Sequence, residues 1–142
     1  MDKELVYELI DEAKDIAKSN TCCKYSNFTV GVALLTKDGK IYKGFNVEND
    51  GIQSICAERV AFSKALTEGN KEFHCLAVVG KNLSSHDFRE TLPCGYCRQF
   101  ISEYGGKDFI VYTYDDTNEE VKSYSMQELL PYSFRKEDHD GE

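Results

Sequence analysis

Pro93-Cys94-Gly95-Tyr96-Cys97-Arg98-Gln99 is the stretch on which the rest of the sequence turns. Two thiols separated by two residues can reach a single metal ion. The run that follows continues to Tyr104 and meets Gly105-Gly106, so the pair opens a helix that the glycines stop. A thiolate at a helix N-terminus faces free amides and the positive end of the dipole, which lower its pKa and ready it for metal. Working upstream, Cys56-Ala57-Glu58 stands in the same setting: an irregular stretch, Asn49 to Ser54, precedes a helix running from about Cys56 to Leu66 or Thr67 and closed by Gly69. Two such helix starts facing each other place Cys56 against Cys94 and Cys97. Three sulfurs leave a tetrahedral zinc one open position, and Glu58 supplies the carboxylate that can take a proton from water held there.

The remaining pattern gives these helices a sheet to stand on. Leu5, Val6, Leu9, Ile10, Ala13, Ile16 and Ala17 recur at helical spacing, so 3–19 reads as an amphipathic helix. Phe28, Val30, Val32 and Leu34 share one parity in a strand from Phe28 to Thr36. Asp38-Gly39 turns the chain into a hairpin partner, Lys40 to Val47. Phe73 to Gly80 is a buried strand, Lys81 to Leu92 a loop, Asp108 to Tyr114 and Val121 to Tyr124 two further strands. Ser125 followed by Glu128 is a capping box for a short last helix. Five strands interleaved with helices make an α/β domain, and the crossovers at 56–66 and 94–104 require a mixed sheet. One domain is expected over residues 1–135, followed by an acidic, frayed tail, 136–142.

The 142 residues carry 17 Lys+Arg against 25 Asp+Glu, a formal net charge of -8. That balance argues against a broad phosphate-backbone footprint on DNA or RNA. No apolar run approaches the roughly 18 residues of a membrane span, and Met1-Asp2-Lys3-Glu4 does not begin a signal peptide, so a cytoplasmic location is expected. Six cysteines raise the question of a disulfide scaffold, which a cytoplasmic chain with 41% hydrophobic residues does not need. Cys75 lies in an apolar strand and reads as a small core residue. A fourth ligand from His86 or Cys75 would close the metal site; neither lies in the two motifs, and the open site is the preferred reading. Three thiolates make the zinc assembly negative, and Arg59 or Arg98 could offset this by donating to the sulfurs.

Cys-Ala-Glu followed by Pro-Cys-x-x-Cys resembles the zinc signature of the nucleoside and nucleobase deaminases. Further pieces, Tyr25 to Leu34, Gly44-Phe45-Asn46-Val47-Glu48-Asn49 and Glu128 to Phe134, occur in an order similar to that of the homotetrameric cytidine deaminases. The resemblance covers roughly residues 5 to 134 and implies a three-layer α-β-α fold around a five-stranded mixed sheet. It also implies one Zn2+ per subunit on Cys56, Cys94 and Cys97, with Glu58 as the proton shuttle. Asn46 and Glu48 would hold ribose hydroxyls, Phe28 would pack against the pyrimidine, and Ala57 would contact the base. Phe134 would reach a neighbouring subunit's site, and Arg59 would hydrogen-bond the thiolates. The implied reaction is hydrolysis of cytidine and 2′-deoxycytidine to uridine and 2′-deoxyuridine with release of ammonia. The implied assembly is a homotetramer with sites at subunit interfaces.

The residues support part of this independently. Asn46 and Glu48 have the same parity, so they face one side of an extended segment and can grip one sugar together. The chain also departs from the family pattern. Asn49 to Cys56 is one residue short and lacks a tyrosine that this segment normally carries; Tyr96 replaces a small residue, and Phe45 a cysteine. Asp50 in that segment would disfavour a 5′-phosphate. A deaminase of a modified or antibiotic nucleoside stays open, as does a non-enzymatic, zinc-stabilised interaction domain. A polynucleotide-editing enzyme is disfavoured, because no basic-aromatic tract offers a groove for a strand.

Overall fold

Asp2 starts the first helix: its carboxylate accepts the Glu4 amide at 3.2 Å, satisfying one of the donors that a helix start leaves open. The computed structural model describes residues 1–136. The elements are α1 (Lys3–Lys18), β1 (Phe28–Thr36), β2 (Ile41–Phe45), α2 (Ala57–Thr67), β3 (Phe73–Asn82), α3 (Gly95–Gly105), β4 (Ile110–Asp115), β5 (Glu120–Ser125) and α4 (Met126–Leu129). Their order is the expected one. Of the expected tail, only Lys136 is among the described residues.

The strands form one sheet in the order β2-β1-β3-β4-β5. Only the β3–β4 pair is parallel; the other three are antiparallel, so the sheet is mixed. Alternation along the central strands splits the core into two layers. Ala33, Leu35, Cys75, Ala77 and Val79 pack with Val6, Leu9, Ile10, Ala13 and Ala17 of α1. Val32, Leu34, Leu76, Val78 and Val111 face the other way, onto Ala61, Phe62 and Ala65 of α2, Ile101 of α3 and Leu129 of α4. The result is a three-layer α-β-α fold of the cytidine deaminase-like kind.

Boundary differences have local causes. β2 ends at Phe45 instead of Val47, and beyond it Asn46 substitutes its side chain for backbone: the Val30 amide donates to Asn46 Oδ1 at 2.9 Å. β3 runs on past Gly80 to Asn82, because β1 continues opposite it in the register Phe28↔Asn82. Both cysteine helices begin one residue later than Cys56 and Cys94, which are the extended N-cap residues. The capping box at Ser125 forms in full.

Register fixes where the site can be. The start of β1, the end of β2 and the end of β3 meet at one margin of the sheet, through Gly31↔Phe45 and Phe28↔Asn82. The segments leaving β2 and β3 lead from that margin into α2 and α3. Both helix starts are therefore delivered to the same place.

Candidate active site

Cys56 and Cys94 hold the N-cap positions of α2 and α3, and Cys97 lies in the first turn of α3. Neither N-cap side chain caps its own helix, so the sulfurs are available to each other. All three Sγ atoms lie within 4.8 Å of one another, and Cys56 and Cys94 are 4.0 Å apart. Four ligands around zinc at Zn–S distances of about 2.3 Å would stand about 3.8 Å apart, so the spacing fits. Soft thiolates are a donor set suited to zinc. Arg59 adds a second fit: its Nε is buried and lacks a hydrogen-bond partner among the described residues, while the guanidinium stands beside Cys56 and Cys97. A donor stranded next to sulfurs is what thiolates charged by metal binding would use.

The thiols are not equivalent. A hydrogen bond with Cys97 is the largest influence on Cys56, and with help from Arg59 and Cys94 it brings Cys56 down to about 5. The same bond pushes Cys97 up. Cys75 cannot be a ligand here, since it packs on the α1 side of the sheet, where burial pushes it up to about 12. His86 is exposed and joins no cluster of metal-ligating groups among the described residues. Arg98 does not serve the sulfurs as expected: its Nε donates to the Pro93 carbonyl at 2.7 Å and its Nη1 to the Leu129 carbonyl at 2.9 Å.

Glu58, in the first turn of α2, is only 4% exposed. Burial is the main reason its carboxyl is pushed up to about 7, and the Cys56 charge adds to it. A first-turn helix carboxylate is normally solvated; this one faces a cavity of about 230 Å³. Cys56, Ala57, Glu58 and Cys94 line this cavity together with Asn46 and Glu48. A titratable acid, two thiols of the cysteine cluster and a polar pair thus share one small space.

Asn46 and Glu48 flank Val47, which forms an isolated bridge with Ile55, so their shared parity does point them to one side. Asn46 is heavily engaged by the protein. Its Oδ1 accepts from Val30 N and from Asn20 Nδ2 at 2.7 Å, and its Nδ2 donates to the Phe28 carbonyl at 3.0 Å. Those partners fix the amide's orientation. Its remaining donor faces Glu48 Oε2 at 3.5 Å. Glu48 is held by Ser26, whose amide donates to Oε1 at 3.0 Å and whose hydroxyl donates to Oε2 at 2.6 Å.

Phe28 and Phe134 are not among the residues that line this cavity. Phe28 lies on the strand face it shares with Val30, with Arg89 over its ring at 5.6 Å, but Val30 is the residue that lines the cavity. Phe134 is 59% exposed, and its carbonyl accepts from Gln99 Nε2. The reading from residues overlooked Val30, Ser54, Ile55, Thr91 and Leu92 as lining groups. The available signal for Thr91 and Leu92 was their place just before Pro93-Cys94.

A family model described as the cytidine and deoxycytidylate deaminase zinc-binding region matches residues 3–113. The chain belongs to this zinc-binding cytidine deaminase-like family. Among similar deaminases, a probable cytidine deaminase from Dictyostelium discoideum is 42% identical over 139 residues, covering 97% of this chain and 89% of that protein. A cytidine deaminase from Sporosarcina psychrophila is 40% identical over 134 residues, covering 94% and 93%. The crystal structure of a cytidine deaminase from Burkholderia pseudomallei superposes with a TM-score of 0.78 at 37% identity, covering 94% of this chain and all of that one. Family membership and the three-cysteine centre together support a deaminase-type hydrolase.

Proposed function

We propose that this protein hydrolytically deaminates cytidine and 2′-deoxycytidine, giving uridine, 2′-deoxyuridine and ammonia, as a step in pyrimidine salvage. The observation that carries the reading is the buried Glu58 beside three convergent cysteines, lining one cavity with Asn46 and Glu48. When held by Cys56, Cys94 and Cys97, zinc supplies the Lewis acid that orients and acidifies a water molecule. Glu58 takes a proton from that water and delivers it to N3 of the pyrimidine, making C4 electrophilic toward the oxygen. Once the oxygen has bonded to C4, the same carboxyl takes the remaining hydroxyl proton and passes it to the exocyclic amine, which leaves as ammonia while the C4–oxygen bond becomes the uracil carbonyl. A carboxyl near neutrality suits both transfers, because it gives up and regains a proton at similar cost. Arg59 offsets the negative charge of the three thiolates.

Glu48 accepts from a ribose hydroxyl, and the Asn46 amide, only loosely engaged toward Glu48 at 3.5 Å, donates to the same group. Ala57, fully buried at the first turn of α2, offers backbone to the base. Phe28 packs against the pyrimidine, and Phe134, exposed on the single chain, belongs in a neighbour's site, with a homotetramer as the working form. The segment 50–55 keeps a second reading in play, a modified or antibiotic pyrimidine nucleoside as substrate, because it is short and its Ile52 is 97% exposed. Asp50 at this place opposes a 5′-phosphate. A panel of cytidine, 2′-deoxycytidine, CMP and base-modified cytidines, read by ammonia release, tests these points. Faster turnover of the two unmodified nucleosides than of CMP is expected. CMP outpacing cytidine would overturn the nucleoside assignment.

A further inference from the structure

The segment joining β3 to α3 has two duties within a few residues. Thr91 and Leu92 form a wall of the cavity, and Cys94 is a metal ligand. Two charged side chains grip this segment from different sides. Downstream, Arg98 binds the Pro93 carbonyl and ties it to the Leu129 carbonyl of α4. Upstream, Glu90 reaches over the far strands of the sheet. Its Oε2 accepts from the Thr113 hydroxyl of β4 at 3.0 Å, and both its oxygens lie 3.1 Å from the Tyr124 hydroxyl of β5. Lys122 Nζ is 3.9 Å away. Thr113 is fully buried and the Glu90 side chain is 29% exposed, so the Thr113 end of this clasp is shielded from water.

The wall is also pressed tightly onto the sheet. Arg89 N donates to the Gly80 carbonyl at 3.0 Å, and Thr91 Oγ1 stands 2.5 Å from where a Cβ on Gly80 would be. Only a residue without a side chain lets the wall approach that closely. Neither Glu90 nor its partners belong to the motifs that define the metal site or the sugar grip.

We propose that Glu90 is the positioning residue for the substrate-facing wall, and that Arg98 separately positions Cys94, so that wall and metal ligand hang on independent anchors. The inference rests on the nucleoside reading of the cavity for its kinetic consequence, though not for its structural one. Truncating Glu90 strands the hydroxyls of Thr113 and Tyr124 and frees the wall, whereas glutamine can still bond both. Because Thr91 and Leu92 line the space for substrate while Arg98 remains in place, binding should suffer and metal retention should not.

The test uses the full-length, zinc-loaded protein and the variants Glu90→Ala, Glu90→Gln, Tyr124→Phe, Arg98→Ala and the double variant Glu90→Ala/Tyr124→Phe. Glu90→Ala should raise KM for cytidine about tenfold, the size expected for losing hydrogen bonds to a charged group, while kcat stays near wild type. Glu90→Gln should restore most of the affinity. The double variant should be no worse than Glu90→Ala, since both remove one linkage. Zinc release to a chelator should accelerate in Arg98→Ala only. A wild-type KM in Glu90→Ala, with nothing but a lower melting temperature, would overturn the positioning role. Equal zinc loss from Glu90→Ala and Arg98→Ala would overturn the independence of the anchors. Hydrogen exchange at the Arg89 amide separates failure of this inference from failure of the nucleoside reading: it should quicken in Glu90→Ala and not in Glu90→Gln, whatever the wild type turns over. Unchanged exchange would contradict the clasp.

Discussion

Asn46 and Glu48 look like an equal pair in the sequence, yet their bonding differs. Asn46 spends its carbonyl and one amide hydrogen on Val30, Asn20 and Phe28, so it is a structural splice at the end of β2 as well as part of the cavity. Glu48 is oriented chiefly by Ser26, with only a long contact from Asn46, and its carboxylate has acceptor capacity left for a ligand. Their substitutions should therefore separate. Glu48→Gln should raise KM for cytidine by about tenfold to a hundredfold, with little change in melting temperature. Asn46→Ala should lower both affinity and melting temperature, because the Val30 amide and the Asn20 side chain lose their partner. Steady-state kinetics and thermal melts on the same preparations check this; equal melting losses in both variants would contradict it. Parity alone placed both residues on one side. It could not reveal the partners, because Asn20 and Ser26 are brought in by the loop between α1 and β1, whose course no periodicity records.

Among the elements, α2 carries Cys56 at its N-cap and the buried Glu58 carboxyl in its first turn, so its seat on the sheet sets where both groups stand. A Cβ on Gly44 of β2 would come within 2.8 Å of the Ala57 carbonyl and the Ala61 amide, which are backbone and cannot step aside. Gly44→Ala should push the start of α2 outward, costing about 1–3 kcal/mol of stability and displacing Cys56 and Glu58. The measurement is denaturant unfolding alongside zinc affinity; a fall in stability with unchanged zinc affinity would show that α2 shifts without moving its first turn. On the opposite face, Asp116 ties α1 to the end of β4, accepting from Lys14 Nζ at 2.7 Å and from the Phe88 amide at 2.8 Å. Burial works against its charge, but these bonds hold the carboxyl below its ordinary value. A lowered folded pKa stabilises the fold above the ordinary carboxylate range and loses that contribution as pH falls through the folded value. Asp116→Asn should melt earlier than wild type at pH 7, and the gap should narrow in acid. A gap that stays constant with pH would exclude the ion pair as its source. Helices and central strands were legible because burial on one face writes a clear period into α1 and β1. Element ends were less so, since they are set by contacts across the sheet, as Asn46 ends β2 and the Phe28 register extends β3.

For the whole molecule, two packed layers on either side of the sheet supply the core without the metal, and only Cys97 of the three ligands is fully buried within it. Chelating zinc should therefore abolish turnover and lower the melting temperature while leaving the far-ultraviolet spectrum in place; collapse of that spectrum would mean the metal organises the fold itself. The three-cysteine centre and its carboxylate were readable from spacing, because helix starts and short gaps are local. The cavity wall at Thr91 and Leu92 was not, since it depends on how far the chain travels between β3 and α3. The claim on which the rest depends is that Glu58 moves protons at this centre. Ammonia release from cytidine should be measured for wild type and Glu58→Gln, with zinc determined on the same samples. Wild type is expected to turn over with one zinc per chain, and the variant to keep its zinc while losing about 10²- to 10⁴-fold in rate, the usual contribution of general acid–base catalysis. Wild-type turnover by a zinc-replete Glu58→Gln variant would contradict the account.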